Sequence, residues 1–306
     1  TNISSVIRNA SGSFLFDFTM PDGSAFQQFV MANLTIIGGT DGCSGLNFKF
    51  CQKAYMSNII FRNLVTGVRA ESMWTVTMER CEFRDKNTVG TGRHLEMNAE
   101  CNAWVLNRCA FSLPHDSTDF NVTISNSLAS VSFIGCLFEG GGGVQLSIAS
   151  ADLLRNIVLI GCYFEWMNRE CLRSSARVQG IKGVTIIGCY FNAWEKSTQG
   201  YAIDSAFIDG LTVLGCYCTR YKTGIIAQTN YNLVNYLVSS NATDSENIVQ
   251  IDIGHTEKVS ASAPTTGKHV RGEVVWALQP TATLHGWICT QSGTPGTWTQ
   301  FPPVAG

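Results

Sequence analysis

Glu139 and Glu165 each stand three residues after a cysteine in nearly the same word, "IGCLFE" ending at 139 and "IGCYFE" ending at 165. Two carboxyl groups brought within one strand spacing repel as charges, which raises one pKa and leaves an acid beside a base. Glycoside hydrolysis needs such a pair, about 5 to 5.5 Å apart for retention of configuration or about 6.5 to 9.5 Å for inversion. A second set is Glu170, Arg173 and Asp204, read on consecutive repeats of the chain, with Trp166 and Trp194 in nearby turns. An exposed tryptophan offers a sugar ring a flat apolar face, while carboxylates and arginine bind hydroxyls or anionic substituents. Arg69, Glu71 and Glu96 form a third set with fewer aromatics beside it. The competing reading of any such glutamate is a solvated turn residue.

What must position these residues is a repeat. The words "VTMERCEF", "VLNRCAF", "VSFIGCLFE", "IVLIGCYFE", "VTIIGCYFN" and "LTVLGCYCT" align on Cys81, Cys109, Cys136, Cys162, Cys189 and Cys216, a period of about 27 residues. Self-similarity at such a period marks a solenoid. The units lack a leucine-rich signature and hold short runs of β-branched and aromatic residues between Gly, Ser and Asn, which predicts stacked parallel strands about 4.8 Å apart. The cysteines then form one inward column. Cysteine is small and readily buried, the glycine before it permits a tight corner, and a following aromatic fills the next inward site. Twelve cysteines in such an arrangement read as reduced packing residues rather than disulfides or zinc ligands.

A second strand is expected in every coil, at "GLNFKFC" (45), "GVRAES" (67), "HLEMNA" (94), "FNVTIS" (120), "GVQLSI" (143), "CLRSS" (171), "AIDSA" (202), "GIIAQ" (224) and "VQIDI" (249). Alternation places Leu95, Met97, Val122, Ile124, Val144, Leu146, Ile203 and Ile251 inside. It leaves Lys49, Arg69, Glu71, Glu96, Thr123, Gln145, Arg173, Asp204 and Asp252 outside. "IIFRNL" at 59 comes too soon before the equivalent position near Cys81 to fill a whole period, so that coil is short or out of register.

Charged residues make up 14% of the chain, against about 25% in an average domain, in keeping with tightly packed strands. A net charge of −2 with no basic stripe argues against nucleic acid as a partner. No apolar run of about 18 residues and no secretory leader is present, so no membrane insertion is expected. His94, His115 and His255 lack metal-ligand spacing and read as surface or core histidines. No metal or cofactor is implied. "GGGG" at 140 to 143 is no phosphate loop, since the P-loop Lys-Ser/Thr is missing, and marks a flexible turn or a close backbone approach.

After Cys218 the pattern loosens, and "TEKVSASAPTTGKHVRG" is polar and aperiodic. Trp276, Trp287 and Trp298 follow at even spacing, as in a small antiparallel β-element too small to bury all three. The division expected is a β-helix carrying the glycan site over 1–255, and a linker with a small trimerisation or capping element over 256–306.

The coils with "IIGCYF"-type strands, followed by "GWICTQSGTPGTW" at 286 to 298, resemble the bacteriophage tailspikes, polysaccharide depolymerases built on a pectate-lyase-like right-handed parallel β-helix. The resemblance implies a homotrimer on a virion tail that binds and usually cleaves a bacterial surface polysaccharide, capsule or O-antigen. It also implies folding in the host cytoplasm and attachment through an N-terminal region absent from this sequence. No catalytic motif of that class transfers by residue, so the site rests on the carboxylates above. A polysaccharide lyase, with Arg173, Arg177, Lys182 and Tyr201 as resources, and a non-catalytic adhesin are the alternative functions.

Overall fold

The computed structural model describes residues 14–19, 27–39, 42–85, 93–125, 128–147, 154–174, 180–197, 199–205, 208–222, 224–227, 237–239, 242–243, 258–260, 262–265, 269, 271–272, 274–281 and 283–301. These residues contain strands and turns and no helix. The chain divides into two compact units, Thr1–Ile248 and Val249–Gly306.

The first unit is a parallel β-solenoid of three strand ladders. The first ladder runs through Ser44–Cys51, the start of Val68–Glu79, Leu95–Asn98, Phe120–Ser125, Gly142–Ser147, Leu172–Ser174, Tyr201–Asp204 and Gly224–Ala227. The second runs through Ala54–Arg62, the end of Val68–Glu79, Asn102–Asn107, Leu128–Ile134, Leu154–Ile160, Ile181–Ile187 and Ile208–Leu214. The third comprises Glu82–Arg84, Ala110–Ser112, Leu137–Glu139, Tyr163–Met167, Tyr190–Ala193 and Tyr217–Thr219. The first ladder matches the second strand expected from alternation: Leu95, Met97, Val122, Ile124, Val144, Leu146 and Ile203 are fully buried. Ile251 and Asp252, with the strand expected at 249, lie outside the described residues.

The cysteine column stands where the second ladder turns into the third. All six of its members are buried, and all twelve cysteines of the chain are free thiols. Each column thiol points at a carbonyl of the preceding coil, as Cys136 does at Leu106 O (3.3 Å) and Cys162 at Phe133 O (3.4 Å). Gly135, Gly161, Gly188 and Gly215 make the corner before it with φ between 57° and 60°. Arg80 and Arg108 hold the same left-handed corner at φ 50° and 53° in the two copies that lack the glycine. Two residues past the column position, Phe61, Phe83, Phe111, Phe138 and Phe164 stack at centroid distances of 4.5, 4.8, 5.1 and 4.6 Å. Each buried ring contributes about 1.5–3 kcal/mol from burial, and each stacked pair adds about 0.5–1.5 kcal/mol.

The coil before Cys81 is short. Phe61 pairs directly with Phe83, and Ile59 stands in the cysteine column's place, fully buried. On the outer surface of the first ladder, charges meet their neighbours one coil away, Arg69 with Glu96 at 2.8 Å and Lys49 with Glu71 at 3.1 Å. That third carboxylate set is thus taken up in ladder ion pairs.

In the second unit, Lys258–Ser260 pairs in parallel with Val274–Thr281, and antiparallel strands Leu284–Gln291 and Thr297–Phe301 complete the sheet. Val275, Ala277 and Trp287 form its core, with Trp298 packed against them, while Trp276 remains 39% exposed.

Two outcomes follow. A left-handed conformation costs an ordinary residue about 1–2 kcal/mol, partly offset in glycine by its looser unfolded chain. Arg108→Gly is therefore expected to raise unfolding free energy by about 0.5–1 kcal/mol, checked by urea titration. Burial pushes the Cys101 thiol up to about 12, and the bond to the neighbouring Cys162 thiol together with burial pushes Cys189 up to about 12. A thiol raised in the folded state supports folding fully below its unfolded value, about 8.5, and withdraws that support as pH rises towards the folded value. Urea midpoints should thus fall between about pH 8.5 and 12, and Cys101→Ala should flatten part of that decline.

Candidate active site

The turns that close each coil, between the third ladder and the first, vary in length along the solenoid. Seven residues separate Ser112 from Phe120, two separate Glu139 from Gly142, four separate Met167 from Leu172, and seven separate Ala193 from Tyr201. Two long turns therefore flank two short ones. Both long turns are built alike: Ser117 N–H donates to Pro114 O (3.0 Å) and Ser197 N–H to Trp194 O (2.9 Å). The serine hydroxyls then accept from Asp119 N–H and Gln199 N–H, each at 3.2 Å. The turns face each other across an open depression of about 540 Å³ lined by Leu113, Pro114, His115, Asp116, Trp194 and Lys196.

The glycine run explains how the first turn comes to lie there. A Cβ on Gly140 would stand 2.1 Å from Leu113 O, one on Gly141 2.7 Å from Asp119 O, and one on Gly142 2.5 Å from the Phe120 ring. The run is thus a close backbone approach, a bare strip over which Leu113–Asp119 lies. Asn121, fully buried, secures its carbonyls, donating to Gly142 O at 3.0 Å and Gly140 O at 3.3 Å.

Glu139 and Glu165 are register partners on adjacent coils of the third ladder, as their shared spacing from the cysteines implied. Both face outward and are half-buried. Ser112 Oγ donates to Glu139 Oε2 at 3.1 Å, and His115 Nε2 lies 3.4 Å from Glu139 Oε1. Beside Glu165, burial and then the Glu165 charge push the Tyr163 hydroxyl up. The ladder bulges between Phe164 and Met167, and Trp166 occupies the bulge at φ 51° with 37% of its surface exposed. A bulky residue in the left-handed region is strained, as Arg80 and Arg108 also are at the coil corners.

His115 joins the parts. Its ring meets Trp166 edge-on at 4.6 Å and lies 6.5 Å from Trp194, over which Lys196 Nζ sits at 5.3 Å. Both tryptophans thereby belong with Glu139 rather than with Arg173 and Asp204. Those two are register partners on the outer surface of the first ladder. Glu170 lies in the same coil as Arg173, in the turn before its strand, only 9% exposed and 3.6 Å from Arg169 Nε. Arg177 lies outside the described residues. His115 and Lys196 were invisible in the repeat pattern because turn residues follow no period; the glycine run was the signal that another segment passes close by. Among the described residues no cluster of metal-ligating side chains occurs.

No protein-family model and no curated protein matches this sequence. Among solved structures the fold is similar to a mutant tailspike protein of E. coli bacteriophage HK620 in complex with a hexasaccharide, with 12% identity, 78% of this chain and 59% of that one covered, and a TM-score of 0.47. It is also similar to tailspike protein 3 of bacteriophage CBA120, with 10% identity, 97% and 58% covered, and a TM-score of 0.39. PfbA, a surface adhesin of Streptococcus pneumoniae, is similar at 8% identity, with 98% and 84% covered and a TM-score of 0.42. The chain thus spans less than two thirds of the length of either tailspike, and the likeness is one of fold.

Proposed function

We propose that this chain binds a bacterial surface polysaccharide along the depression between the two long turns and cleaves it by glycoside hydrolysis with Glu139 and Glu165. The observation that carries the reading is the register pairing of these two glutamates in the ladder that also carries Trp166 and whose turns present His115 and Trp194. A strand spacing of about 4.8 Å lies near the separation of a retaining pair. Ser112 and His115 face Glu139, which suits it to act as the nucleophile. Glu165 then protonates the leaving oxygen. Trp166 and Trp194 supply apolar faces for sugar rings, and Lys196 binds hydroxyls or an acidic substituent. Arg173 and Asp204, on another ladder, are left to a separate stretch of glycan.

The wider reading is a tailspike: a homotrimer on a virion tail, folded in a cytoplasm where its thiols stay reduced. Support for self-association is the column Ile134, Ile160 and Ile187 on the second ladder, exposed by 39%, 40% and 37%.

Incubation with purified capsule or lipopolysaccharide from a strain panel tests the reading by polymer size, reducing ends and ultraviolet absorbance. Cleavage with new reducing ends and retained anomeric configuration is expected on one strain. Glu139→Gln and Glu165→Gln should each lower kcat by about 10²–10⁴ with KM little changed, and Trp166→Ala should raise KM by about tenfold. An unsaturated product would replace hydrolysis by β-elimination, and tight binding of intact polymer would make the protein an adhesin.

A further inference from the structure

The turn carrying His115 belongs to one coil and works beside another. Leu113–Asp119 leaves the strand Ala110–Ser112, crosses the glycines of the next coil, and ends against residues 168 and 169 of the coil after that. Three consecutive carbonyls of the turn are met there. Asn168 Nδ2 donates to Asp116 O at 3.3 Å and to Ser117 O at 3.1 Å, and Arg169 Nη1 donates to Thr118 O at 3.0 Å. The guanidinium also lies 5.0 Å from the Phe120 ring centre, with Glu170 Oε2 3.6 Å from its Nε.

The backbone behind these side chains is held independently of them. The N–H groups of Asn168 and Arg169 both donate to Gly141 O at 2.9 Å. Ser197 Oγ donates to Asn168 O and Tyr221 Oη to Arg169 O, each at 2.9 Å. Tyr221 is itself buried against the Cys171 thiol at 3.1 Å. Ser197 belongs to the second long turn, so Asn168 ties both turns that face the depression.

We propose that Asn168 and Arg169 are positioning residues that fix where His115 stands relative to Glu139 and Trp166, with Glu170 serving as the counter-ion of Arg169 rather than as a catalytic acid. An amide that donates to two carbonyls cannot be replaced by a carboxylate of the same shape, which offers those oxygens only repulsion. A guanidinium fork, likewise, spans its carbonyl, its carboxylate and an aromatic face together in a way an ammonium does not. The consequence for catalysis rests on the hydrolase reading above; the placement of His115 does not, and it is measured without any glycan.

The test uses the full chain labelled with ¹³C at histidine Cε1, in which His115→Gln identifies the His115 resonance among the five histidines. The Trp166 ring at 4.6 Å displaces that resonance from its free-histidine position. In Asn168→Asp, and separately in Arg169→Lys, the His115 resonance is expected to move to the free position. The other histidine resonances should stay in place, and the thermal midpoint should stay within about 4 °C of the parent. On a cleavable glycan, the same variants should lose about 10- to 100-fold in kcat with KM nearly constant. An unmoved His115 resonance in both variants overturns the proposal, whether or not a cleavable glycan has been found. Movement of every histidine resonance together, with a collapsed midpoint, overturns it too, since these residues would then hold the whole coil and not the turn.

Discussion

Everything in the first unit depends on in-register parallel hydrogen bonding between coils about 4.8 Å apart. Once neighbouring strands are locked in this way, a side chain's nearest neighbours are its own counterparts one coil up and down. Each column must therefore be filled by residues that tolerate copies of themselves. Thiols do so by reaching the carbonyl of the coil below, and phenyl rings by stacking at 4.5 to 5.1 Å. Charges are most favourably placed in alternation, as in Arg69 and Glu96 or Lys49 and Glu71. Glu139 over Glu165 is a like-charge pair in register, as are Arg62 over Arg84 and Arg155 over Lys182; what sets the glutamates apart is the company of Ser112, His115 and Trp166.

The site arises where the regularity gives way. A seven-residue turn, a two-residue glycine turn, a bulge with a left-handed tryptophan and a second seven-residue turn follow one another along one edge of the solenoid. None of these departures builds a site alone. The glycines clear a strip, the first long turn lies over it, and His115 thereby reaches both the glutamate of one coil and the tryptophan of the next. The rigid ladders supply distance and the irregular turns supply variety in side chain.

Most of the fold was legible because columns repeat in the sequence as they do in space. The cysteine spacing, the inward residues of the first ladder and the pairing of Glu139 with Glu165 all follow from the period of the cysteine words. The short coil around Ile59 was visible only as a discrepancy, because an isoleucine fills the cysteine position there. Turn residues carry no period, so His115, Lys196 and Asn168 gave no signal of their own. Proximity along the chain groups Trp166 and Trp194 with Arg173 and Asp204, whereas in the structure Trp166, at the bulge, packs against His115.

The lengths of the coils carry one more consequence. Matching positions of the first ladder are joined by a short length of chain between Val122 and Val144 and a much longer one between Leu172 and Ile203, yet each step is one hydrogen-bonded strand. Chain length and axial rise are therefore decoupled. Residues gained or lost at a turn reshape what is displayed at that level and leave every other level where it was. Gain or loss of a whole coil shifts all later levels by a single strand spacing. A surface of this kind changes its contents continuously but its ruler only in fixed increments, so the distance between any two displayed groups along the axis is drawn from a short list of multiples.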